Sequence, residues 1–200
     1  MTSDEAGGHG DDGQVRVDDI IRADTSRGLI EIRLHRLEQL FNSLDPSPFH
    51  ERDLDDDAED FIVSWARELP ADRSIRIVMH LPEEEVLKAK ARGAAAAMCN
   101  YFHGRAKRLA LDHKELIRMG WRYLVVGVPI LAACLVGSHV MPQMLGEGAV
   151  ARTLGESLVI LGWVANWKPL EVFLYDWWPI RRRMHLYERL SRAEIDFNAL

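Results

Sequence analysis

Asp53, Asp55, Asp57 and Glu59 alternate in the stretch DLDDDAED. That is the spacing with which a calcium-binding loop begins. Such a loop needs glycine at its sixth position and a bidentate glutamate at its twelfth. Here those positions hold Ala58 and Ser64. The stretch therefore predicts a solvated helix start, and no metal is expected. The histidines (His9, His35, His50, His80, His103, His113, His139 and His185) are spread out, with no HExxH spacing. Cys99 and Cys134 have no CxxC neighbour, which argues against a disulfide framework or a zinc site. There is no P-loop, GxGxxG or GxSxG motif. Ser47 lies between two prolines in DPSPF and reads as part of a turn. No catalytic constellation emerges, and neither an enzyme nor a cofactor is expected.

Other polar residues stand where they need a reason. Glu156, Asn166, Lys168 and Glu171 are embedded in apolar sequence. Facing the axis of an oligomer, they would line a polar path. Close by, NWKPLEVFLYDWWPIRRR (166–183) gathers Trp167, Trp177 and Trp178 with Arg181, Arg182 and Arg183. Tryptophan and arginine together suit a membrane–water interface. Trp121 opens a second apolar run and joins this set.

These residues must be positioned by long apolar helices. WRYLVVGVPILAACLVGSHV (121–140) is uncharged from Tyr123 to Gly137. At 1.5 Å per residue, about 20 residues reach the roughly 30 Å of a bilayer core. Gly127 and Pro129 are tolerated in membrane helices. A weaker run, 149–169, contains Arg152 and Glu156, four residues apart and able to pair. Between them 141–148 makes a short loop without Lys or Arg. Arg105, Lys107, Arg108, Lys114, Arg118 and Arg122 precede the runs; Lys168, Arg181–Arg183, Arg189 and Arg192 follow them. Basic residues concentrate on the cytoplasmic side of membrane proteins. The expectation is a two-helix transmembrane hairpin with both termini cytoplasmic; a soluble helical bundle is the alternative.

The second span can end in two places. A helix unbroken to Trp178 would bury Lys168 about 15 Å deep, at a cost of at least roughly 2.5 kcal/mol. Ending near Trp167 lets Lys168 snorkel. Pro169 then bends the chain, and 170–180 lies along the interface with Leu170, Phe173, Leu174 and Trp177 in the acyl boundary. This second register is preferred.

Ahead of the helices, the charge is divided. Residues 1–60 contain 17 Asp or Glu against 6 Lys or Arg; the other 140 contain 14 against 19. Residues 1–27 read as a disordered acidic tail with no signal peptide. GLIEIRL and SIRIVMHL alternate apolar and polar residues as half-buried strands. Between them, Phe61, Ile62, Trp65 and Leu69 give a helical stripe, ended by Pro70. Strand, helix and strand make a small cytoplasmic α/β unit at 28–81. It is underfilled and needs the following helix or another copy of the chain. Pro82 and three glutamates start a long juxtamembrane helical region, 82–120, with Gly93, Gly104 and Gly120 as breaks. Phe102, Leu109, Leu116 and Tyr123 recur every seven residues along it. Residues 170–200 close the chain as an interfacial helix and basic cytoplasmic tail. The fold class is thus an α+β membrane protein.

LEQLFNSLDPSPFHERDLDDDAEDFIVSWARELP and GWVANWKPLEVFLYDWWPIRRRMHLYERL resemble a family of two-span bacterial membrane proteins of unknown activity. The resemblance implies a bacterial inner-membrane location and no catalytic residue. The expected function is a membrane-anchored binding or scaffolding module. Its expected partners are anionic lipid headgroups and a second copy or another membrane protein, without nucleic acid. A small oligomeric channel or transporter subunit is the alternative.

Overall fold

The computed structural model describes residues 21–24, 28–146 and 148–200. The chain divides into two compact units, 1–101 with 192–200, and 102–191.

The first unit is built on a four-stranded sheet in the order β1-β2-β3-β4. β2 (Leu29–Arg33) and β3 (Arg76–Leu81) are the strands expected from alternation. They pair in parallel, with Ile30 beside Ile77 and Ile32 beside Met79. All four of these side chains are buried. β1 (Ile21–Asp24) is antiparallel to β2. It corrects the expectation of a tail running to residue 27; the rest of that tail, His9 included, lies outside the described residues. β4 (Glu194–Ala199) adds to β3 in parallel, with Met79 beside Phe197. It corrects the reading of 170–200 as a helix and basic tail.

Gly28 enters β2 at φ +68°, and a Cβ there would lie 2.6 Å from the Ser74 carbonyl oxygen. The left-handed conformation alone costs a side-chain-bearing residue about 1–2 kcal/mol. Gly28→Ala should therefore lower the stability of this unit by at least that amount. Thermal denaturation followed by proteolysis of the full chain checks it; an unchanged midpoint would contradict the assignment.

α1 (Asp56–Glu68) starts where the acidic run predicts. Asp55 is its N-cap, accepting from the Asp57 N–H, and Asp56, Asp57 and Glu59 fill the first turn, where the helix dipole favours them. These carboxylates serve the helix start. The buried stripe is Glu59, Ile62, Val63 and Ala66, displaced from the expected Phe61 and Trp65. Glu59 is buried because the Tyr101 hydroxyl donates to its carboxylate. α2 (Glu83–Ala91) ends at Gly93, φ +67°. Glu85 accepts from the Leu37 N–H, closing the 3₁₀ turn Leu37–Leu40, and from Lys88. Those donors hold its carboxyl below the usual range. α2 also packs on β4. The partners the underfilled unit required are thus α2, β1 and β4 of the same chain.

The second unit contains most of α3 (Ala94–Leu145), then α4 (Ala149–Glu171), a π-helical turn Val172–Asp176 and α5 (Trp177–Leu190). Gly104 and Gly120 do not break α3, and Pro129 and Pro142 lie inside it. α3 runs over the expected 82–120/121–140 boundary and well into the expected 141–148 loop. Pro169 lies inside α4, and helix continues beyond it. A separate interfacial helix at 170–180 is therefore not formed.

Candidate functional site

The second unit is organised inside out. α3 is long and apolar enough to cross a membrane, yet only 11% of its most apolar stretch is buried. Val125, Val126, Val128, Leu135 and Val136 are exposed on it; so are Leu154, Ile160, Leu161, Trp163 and Val164 on α4. The residues turned inward are small. From residue 120 onward the buried positions on α3 are Gly120, Gly127 and Cys134, and those on α4 are Ala151, Gly155, Gly162, Asn166 and Pro169.

Glycine is required where the helices meet. A Cβ at Gly162 would lie 2.8 Å from Leu131 Cδ1 and 3.2 Å from Cys134 Cβ. A Cβ at Gly127 would lie 2.7 Å from Asn166 Oδ1. Across this close approach Asn166 Nδ2 donates to Gly127 O at 2.9 Å and to Gly162 O at 3.0 Å. Small residues that bring backbones together, with a polar side chain bridging helices, are the means by which helices associate in lipid.

Of the residues predicted to form a polar path, only Lys168 and Glu171 are brought together. Asn166 lies in the seam. Glu156 lies towards the loop, sharing a groove with Ser138, His139 and Arg152. Arg152 and Glu156 form no ion pair in the structure, although their spacing permits one. Lys168 Nζ lies 3.0 Å from Glu171 Oε2 and 3.8 Å from Asp176 Oδ2. Lys168 thus pairs with Glu171, three residues on in α4, and also meets Asp176.

The predicted interface residues cluster more closely. Trp121 meets Phe173 edge-on, centroids 5.8 Å apart. Trp167 is exposed. Trp177 and Trp178 are edge-to-face at 5.6 Å. The π turn is bracketed by Pro169 and Pro179, each lacking a backbone N–H, and Phe173 O accepts the Trp177 indole N–H at 2.9 Å. Arg181 lies over the Trp177 ring at 5.6 Å. Its Nε donates to His185 Nε2 at 3.4 Å, and His185 Nδ1 lies 3.1 Å from Glu188. Trp177, Trp178, Arg181, Arg182 and His185 line an open groove of about 390 Å³. Arg183 points elsewhere, into a groove with Arg105, Arg108, Asp112 and Tyr187.

Sequence reasoning missed the small-residue seam. Gly120, Gly127 and Cys134 recur every seven residues, which was the available signal. The stripe at Phe102, Leu109, Leu116 and Tyr123 has the same period but the neighbouring phase. Phe102 is buried and Tyr123 exposed, so that stripe leaves the interface as the sequence becomes apolar.

Among the described residues, no three His, Cys, Asp or Glu side chains are placed to hold a metal ion. Comparison with protein-family models, curated proteins and solved structures found no match.

Proposed function

We propose that the protein is an integral membrane protein of the bacterial inner membrane, in which α3 and α4 form a transmembrane hairpin. The hairpin anchors the α/β unit at the cytoplasmic face as a binding or scaffolding module. The observation that carries this reading is the reversed distribution of side chains, small and polar in the seam, large and apolar outside. Exposed apolar surface on this scale marks a membrane or protein contact, and lipid is the simpler partner for a face continuous around two helices.

Connectivity supports an even number of crossings. α3, α4 and α5 are inserted between β3 and β4, which are adjacent strands of one sheet. A chain that leaves the sheet through a membrane must return through it. The basic residues from Arg105 to Arg122 in the first half of α3 and those along α5, with none in 141–148, favour the cytoplasm for the sheet.

Charge pairing favours a deeper register than the one preferred from sequence. A core beginning at the loop would include Arg152 and Glu156 without an ion pair. A core of about 21 residues from 154 to 174 reaches roughly 30 Å. It leaves Arg152 among headgroups, keeps Glu156 in its outermost turn, and includes Lys168, which Glu171 and Asp176 neutralise. Trp177 and Trp178 then stand at the inner interface.

The test is labelling of a cysteine at Gly146 in a Cys99→Ser, Cys134→Ser background. An impermeant maleimide should reach it from outside intact cells, and should not reach a cysteine at Leu200. Labelling of position 146 only from the cytoplasm would overturn the topology.

A further inference from the structure

The groove on α5 is more organised than an interface belt requires. Its five lining residues fall at positions 177, 178, 181, 182 and 185, one face of a helix. One end is aromatic and the other cationic. The Trp177 indole N–H is satisfied by Phe173 O, which fixes that ring beneath Arg181. Arg181 is held from the other side by His185, itself oriented by Glu188. Only the Nε of Arg181 is engaged in these contacts, so its terminal N–H groups remain to donate. Arg182 is exposed and makes no ion pair among the described residues. Trp178 is 63% exposed, and its indole has no hydrogen-bond partner among the described residues.

We propose that this groove is a binding site for one anionic phospholipid, with Arg181 and Arg182 clamping the phosphodiester. The Trp178 indole donates to a glycerol-ester oxygen, and the acyl chains continue along exposed Leu174 and Leu170. The chemistry is a phosphate joined to an apolar body. A planar guanidinium matches phosphate oxygens in pairs, and the two indoles supply a wall that free phosphate would not use. The inference rests on the membrane reading and adds selectivity for one class of lipid to it.

The test uses the full chain in nanodiscs of phosphatidylcholine doped with spin-labelled phosphatidylglycerol or spin-labelled phosphatidylcholine. The immobilised fraction should be larger for phosphatidylglycerol. Neutralising each arginine, Arg181→Gln and Arg182→Gln, should reduce that preference about five-fold, the effect of one basic residue near an anionic surface. Arg108→Gln removes the same charge outside this groove and should change it little. Millimolar inorganic phosphate should not displace the lipid. Incorporation without preference, equal loss in Arg108→Gln, or displacement by phosphate would each overturn the site while leaving the anchor intact. Protein that fails to enter nanodiscs and is stripped from membranes by alkaline carbonate would overturn the membrane reading itself.

Discussion

Removing residues 192–200 is expected to unfold the α/β unit while the apolar helices remain paired. β4 forms one full side of β3, from Arg76 beside Glu194 to Leu81 beside Ala199. Without it, β3 loses a ladder of backbone hydrogen bonds and becomes an open edge. Phe197 and Ala193 are both 8% exposed and leave the core with it. Burying one phenylalanine contributes roughly 1.5–3 kcal/mol. Each backbone group left buried without a partner adds about 1–3 kcal/mol. The ion pair of Arg76 with Asp196, at 2.6 Å, adds little, because surface pairs are worth about 0–1 kcal/mol. The combined loss approaches the whole stability of a small domain, about 5–15 kcal/mol. Limited trypsin digestion in membranes should then cleave rapidly at Arg33, Arg67 and Arg73. Wild-type resistance in the truncated chain would refute the role given to β4.

The second large effect is expected in the helical seam. Gly162→Leu forces a branched side chain against Leu131 and Cys134, where even a Cβ is too close. Overpacking of this kind costs typically 1–3 kcal/mol. Asn166→Leu removes two hydrogen bonds across and within the seam. Side-chain bonds of this type inside membranes average only about 0.6 kcal/mol, so the steric change should dominate. Cys134 reports it directly, being 7% exposed in the seam. In a Cys99→Ser background, thiol labelling of Cys134 should accelerate about five- to a hundred-fold in Gly162→Leu, the rate equivalent of 1–3 kcal/mol. It should accelerate only about three-fold in Asn166→Leu. Gly104→Ala is the control, since nothing lies within 4 Å of its Cβ position. An unaltered rate in Gly162→Leu would mean the helices are not closely packed there.

How much of this was legible follows from what each segment carries locally. β2 and β3 show because their apolar residues alternate and are buried along the strand. β4, EIDFNA, offers only Ile195 and Phe197 between polar residues. It is a strand because β3 lies beside it, and that neighbour is remote in sequence. β1 is shorter still, four residues, and was concealed by the acidic composition around it. Three glycines were read as equivalent breaks, yet only Gly93 has a positive φ. Gly120 is retained in a helix because Val172 and Phe173 press on it, a tertiary reason that no local pattern carries. At the candidate site, residue types led to the expectation of an interface with lipid. They did not announce the grouping. Asp176, which joins Lys168 and Glu171, lies in the π turn that follows α4, and the arginines that divide between two grooves lie beyond it.

The placement of the helices between β3 and β4 also orders events in time. Leu81 and Glu194 are 113 positions apart. Pairing so remote closes a long loop, and contacts of that separation form slowly. β2, α1 and β3 can assemble as soon as they are made, whereas β4 follows the whole apolar segment in synthesis. Until it arrives, one edge of β3 is open, with Ile77, Val78 and Met79 on an unprotected strand. Such an edge can recruit a strand from another chain. Closure of the sheet therefore comes after the helices have been made. Variants that delay formation of the helical unit should aggregate through β3, although no residue of that strand has been changed.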